Sequence, residues 1–130
     1  MIALVALTMA VAVRMYVVRI GEMLERRISP QSIATSRAAA ERLENTGPAD
    51  NFRNLFELPV LFHALCLALY VTDRVTTTQL VLAWIFVALR VVHSAIHVTY
   101  NRVMHRFRAY VLGMACLFVM WGVFAVQLLR

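Results

Sequence analysis

The stretch QLVLAWIFVALRVVHSAIHV, residues 79–98, decides the fold. It matches the roughly 20 mostly apolar residues that cross a bilayer as a helix, the form that satisfies its own backbone amides in hydrocarbon. Three further runs, at about residues 1–20, 55–71 and 109–129, meet the same demand. The chain of 130 residues is 62% hydrophobic and 15% charged, too apolar for one water-soluble core and too patterned for disorder. The expected class is all-α: an integral membrane four-helix bundle, with residues 1–130 forming one transmembrane domain.

The first run resembles a signal peptide only superficially. No basic residue precedes Arg14, and the apolar run continues past Ala10-Val11-Ala12, so a retained helix is expected. Thr46-Gly47-Pro48 breaks the chain before the second run, with Asp50 as its expected N-cap. Thr76 and Gln79 have capping-box spacing before the third. The connection at about 21–53 carries five acidic and five basic residues, and Ser29-Pro30 suggests a short surface helix within it.

All 13 basic residues are arginine and the net charge is +6. They lie among apolar runs rather than on one basic face, which argues against nucleic acid as a partner. Counting basic residues by loop, five fall in the first connection and three in the third (Arg102, Arg106, Arg108), against Arg74 in the second and Arg130 at the end. The positive-inside rule then places both Arg-rich loops in the cytoplasm and both termini outside it. Cys66 and Cys116, each alone in an apolar run, read as small buried hydrophobes.

An ionisable group inside a span is a functional hypothesis, because lipid does not accept it unpaired. Arg90, His93, His97 and Asn101 recur at helical spacing, within about 80° of arc, so that stripe must face protein or water. Arg53, Asn54 and Glu57 cluster at the start of the second span, Arg26 ends the first, and Arg102 and Arg106 follow the third. The expected topology gathers Arg26, Arg53, Asn54, Glu57, Arg102 and Arg106 at one depth. Such a ring suits a small, multiply anionic ligand, since arginine offers forked donors and stays charged. The plainer alternative is structural: Glu57 paired with Arg53 or Arg90, and terminal arginines reaching headgroups. His93 and His97 alone are a weak metal signal, and no metal site is expected. Axial ligation of haem by His63 with His93 or His97 is the rival chemistry.

Two motifs carry a family resemblance. Asn51-Phe52-Arg53-Asn54-Leu55-Phe56-Glu57-Leu58-Pro59 is similar to the Asn-x-x-Glu followed by Pro at the start of helix two in the membrane-associated proteins in eicosanoid and glutathione metabolism (MAPEG). Arg90-Val91-Val92-His93-Ser94-Ala95-Ile96-His97, continuing to Arg102 and Arg106, is similar to the Arg-x-x-His-x-x-x-Tyr and following Arg pair of the prostaglandin E synthase branch. Tyr16 with Arg26 ten residues later is a weaker match, and the length resembles short bacterial members.

The resemblance implies a homotrimer in a bacterial inner membrane, with glutathione or a similar thiol bound between subunits near the cytoplasmic face. By it, Arg26, Arg53, Asn54, Glu57, Arg90 and His93 line or support that site, with His97 and Arg102 beside it. Glu57 takes the α-amino group, and Arg106 holds the thiol as thiolate. The implied activity is a detoxifying transferase or peroxidase acting on a lipophilic electrophile or hydroperoxide. A non-catalytic membrane protein of the same fold, binding a lipid-like or anionic ligand, is the alternative. Two positions depart from the family pattern: His97 stands where a Tyr is frequent, and Asp50 where eukaryotic members often have Arg.

Overall fold

The computed structural model describes residues 1–129; Arg130, counted above for topology, lies outside them. Six α-helices follow in order: α1 Ile2–Glu25, α2 Ser36–Arg42, α3 Gly47–Asn54, α4 Leu58–Val71, α5 Thr77–Val98 and α6 Val103–Leu128. A 3-10 turn at Pro30–Ile33 precedes α2, and the described residues contain no strand. Four helical segments are long and apolar enough to cross a membrane: α1, α3 with α4 taken together, α5 and α6. At 1.5 Å per residue, α1, α5 and α6 reach roughly 33–39 Å, so their ends extend past a hydrocarbon core of roughly 30 Å.

The second span is not one straight helix. Pro59 lacks an N–H and its ring would clash with the Leu55 carbonyl, so the helix breaks at Leu55–Glu57 and restarts at Leu58. Asn54 and Glu57 therefore do not share a continuous helical face, as the spacing alone suggested; Glu57 is the N-cap of α4. Asp50, by contrast, is not a cap. Helix α3 starts at Gly47, with Pro48 in its first turn, and Asp50 sits inside that turn near the positive end of the helix. Gly47 lies in close approach to α5: a Cβ there would meet the His97 carbonyl oxygen at 3.0 Å, tighter than an ordinary contact.

Thr76 caps α5 as its spacing implies, accepting from the Gln79 backbone N–H at 3.3 Å. The Gln79 side chain does not return the bond; its Nε2 donates instead to the Met120 carbonyl at 3.1 Å, joining α5 to α6. Arg102 is the N-cap of α6 and Arg106 lies in that helix, not along the end of α5. The reason is Asn101, whose positive φ of 47° turns the chain.

Helix α5 packs along α6, α1 against α3 and α5, and α4 against α6. Leu4, Phe62, Leu65, Phe86, Leu117 and Met120 form the dry centre, with Phe62 and Phe86 stacked at 4.7 Å between centroids. Ile2, Met9, Val13, Val17 and Ile20 leave one side of α1 apolar and exposed. The charged connector folds back on the end of α1: Glu22 accepts from the Glu44 backbone N–H at 2.6 Å, and Arg26 pairs with Glu22 and Glu44.

Candidate functional site

The break before Pro59 shapes the site. In an unbroken helix the Asn54 carbonyl would accept from Leu58; here it accepts from Arg90 Nη2 at 2.9 Å and, at 3.5 Å, from the Glu57 backbone N–H. Arg90 is completely buried, and its Nε and Nη1 have no partner. The guanidinium carbon lies 5.8 Å from the Tyr110 ring centroid, within cation–π range. Helix α5 thus carries a buried cation whose remaining donors are free.

His93 and His97, one and two turns further on, are also buried. His93 Nδ1 lies 3.1 Å from the Arg106 carbonyl. A carbonyl only accepts, so Nδ1 carries a proton, while Nε2 has no partner. His97 Nε2 faces Asn54 Nδ2 at 3.5 Å, and its Nδ1 has no partner. The α3–α5 contact is completed by Ser94, whose hydroxyl donates to Asn51 Oδ1 at 3.1 Å.

On the α6 side, the Tyr110 hydroxyl donates to Glu57 Oε2 at 3.3 Å, placing an exposed carboxylate at the rim. Arg106 is half-buried and donates from Nη1 to Asn101 Oδ1 at 2.7 Å. Asn54, His93, Val103, Arg106, Phe107 and Tyr110 line a cleft of about 190 Å³. Arg106 is the one arginine that lines it; buried Arg90 lies behind Asn54 and Tyr110, and Glu57 stands beside Tyr110.

Of the expected site residues, Asn54, Glu57, Arg90, His93, His97 and Arg106 come together within one chain. Arg26, Arg53 and Arg102 do not join them. Arg26 is held by Glu22 and Glu44, exposed Arg53 lies 3.8 Å from Asp50, and exposed Arg102 caps α6. Arg53 instead borders a separate cavity of about 320 Å³ between α1, α2 and α3, which also takes in Arg19. His63 contacts the Met1 carbonyl at 3.5 Å and does not line the cleft. Among the described residues no three His, Cys, Asp or Glu side chains group as a metal site.

Asn51, Ser94 and Tyr110 were not anticipated as part of this cluster. Tyr110 had a signal in its i, i+4 spacing from Arg106, which places both on one face of α6. Asn51 and Ser94 each had one only in hindsight of the other, since neither alone is unusual in a helix.

Comparison with curated proteins and with solved structures returned no match. The model of the MAPEG family matches residues 1–126, nearly the whole chain, ending within the last turn of α6. On that match, and in keeping with its four helices able to span a bilayer, the chain belongs to the MAPEG family.

Proposed function

We propose that this integral membrane protein is a glutathione-dependent transferase or peroxidase acting on a lipophilic electrophile or hydroperoxide. The MAPEG family in general uses glutathione, which supports the cofactor class. The observation that carries the reading is Arg90, a completely buried guanidinium with Nε and Nη1 unpartnered beside a cleft lined by Arg106. A buried charge costs several kcal/mol unless paired, so a site that retains one is built for an anion.

The donor set fits glutathione. Arg90 and Arg106 suit its carboxylates and thiolate, and Glu57, oriented by Tyr110, suits its α-amino group. Bound there, glutathione supplies a thiol that attacks the second substrate once deprotonated. Arg106 favours the deprotonated form by placing a positive charge beside a group that otherwise titrates near pH 8.5. A cleft of about 190 Å³ is below the roughly 300–1,000 Å³ of sites that enclose a small molecule. A homotrimer would supply the missing wall, and Arg26 or Arg53 of a neighbouring copy would then have a role. The second substrate would enter from lipid, which explains why a detoxifying enzyme of this kind sits in a membrane.

Glu57→Gln tests the amine contact. It should raise KM for glutathione by about 10-fold, the value of one charge-assisted hydrogen bond, with kcat little changed. An unchanged KM would remove Glu57 from the site. The orientation is a second part of the proposal, with the Arg-rich ends of the bundle in the cytoplasm of a bacterial inner membrane. A reporter active only outside the cytoplasm, fused after Arg130, should be active; an inactive one beside an active cytoplasmic reporter at the same point would reverse the topology.

A further inference from the structure

Asn101 does more than turn the chain, because two independent features meet in it. Its backbone is left-handed, with φ 47°, and its N–H donates to the Ile96 carbonyl at 2.8 Å, closing α5. Asparagine is among the few non-glycine residues that adopt this conformation readily. Its side chain then reaches forward five residues, where Oδ1 accepts from Arg106 Nη1 at 2.7 Å. The same turn carries a parallel brace, Tyr100 hydroxyl to His105 Nδ1 at 3.2 Å.

Arg106 needs such a tether. It lies in the first turns of α6, where the helix end is positive and repels a cation, and no acidic residue occupies that first turn. Among the described residues no carboxylate lies within ion-pair distance of it. Untethered, a long side chain with several rotatable bonds would swing toward water, losing its place at the cleft. A carboxylate would hold it but cancel its charge. An amide oxygen holds it through one donor and leaves the positive charge uncompensated.

We infer that Asn101 is a positioning residue, a neutral latch that fixes the Arg106 guanidinium at the cleft while preserving its full charge for an anionic sulfur. This rests on the glutathione reading given above. Asn101 itself touches no substrate; it acts through Arg106, and its left-handed backbone is what brings the side chain within reach.

The test is thiolate absorbance near 239 nm at pH 7 with saturating glutathione, on the purified full chain in detergent. Asn101→Gly keeps the left-handed backbone and removes only the acceptor. Its thiolate signal should fall about threefold, as when a bound thiol's midpoint moves from about half a unit below neutrality to half a unit above. In an Arg106→Ala background, where no thiolate band remains, the same substitution should leave the Kd for glutathione unchanged, because Asn101 acts through Arg106. Should the glycine variant not fold, Asn101→Asp retains the acceptor and should lower the signal by neutralising Arg106. A wild-type signal that survives unchanged in whichever variant folds overturns the latch alone, as does a further rise in Kd in the Arg106→Ala background. A wild-type protein without any thiolate signal overturns the glutathione reading, and the latch with it.

Discussion

Arg106→Ala should lower glutathione-dependent kcat by about 100-fold or more, with the four-helix fold intact. Removing a single preorganised group that stabilises developing or resident negative charge typically costs about 10²–10³ in kcat. Arg106 meets the description: it is half-buried at the cleft, fixed by Asn101 at 2.7 Å and free of any carboxylate partner among the described residues. Its backbone carbonyl, which holds His93, survives the substitution, so the α5–α6 contact should persist. Steady-state kinetics in proteoliposomes, with thermal unfolding alongside, read both quantities. Turnover within about threefold of wild type would mean that the thiol is activated elsewhere. Glutathione bound without turnover in the wild type would instead favour a non-catalytic binding protein of the same fold.

The second large effect concerns Arg90, where stability and function should move in opposite directions. Arg90→Met replaces a fully buried guanidinium by an unbranched apolar side chain. The arginine carries the desolvation of a buried charge, with only Nη2 satisfied, by the Asn54 carbonyl. Relief of that cost, several kcal/mol, outweighs the roughly 1.5–3 kcal/mol of the one charge-assisted bond lost at the Asn54 carbonyl, which keeps the Glu57 N–H at 3.5 Å. The ligand-free variant should therefore unfold a few degrees above wild type. Its Kd for glutathione should rise at least about 30-fold, the loss of one or two charge-assisted bonds. Glutathione, which should stabilise the wild type by mass action, should then do little for the variant. A variant less stable than wild type that still binds glutathione normally would make Arg90 structural.

The membrane made much of this legible in the sequence. Bilayer thickness fixes the length of a span, so four apolar runs read as four spanning segments without regard to their packing. Lipid also refuses unpaired charge, so the Arg90–His93–His97 stripe had to face inward, as it does. What sequence spacing could not give was the effect of Pro59 on residues before it. The break moves Glu57 off the face of Asn54 and frees the carbonyl that Arg90 takes. Nor could it show how the connector spends its charges. Five acids and five arginines there suggested a share for the ligand, but Glu22 and Glu44 hold Arg26, and Asp50 stands beside Arg53. Pairings such as Asn51 with Ser94, or Tyr110 with Glu57, depend on helix rotation and depth, which a period of 3.6 residues does not encode.

The most direct test of the central claim is a difference spectrum near 239 nm, taken as glutathione is added to the detergent-purified protein at pH 7. A saturable thiolate band that is absent in Arg106→Ala is the predicted result. Saturable binding without that band, or no binding at millimolar glutathione, would contradict it and leave the buried Arg90 and its neighbours as the site of a different anion.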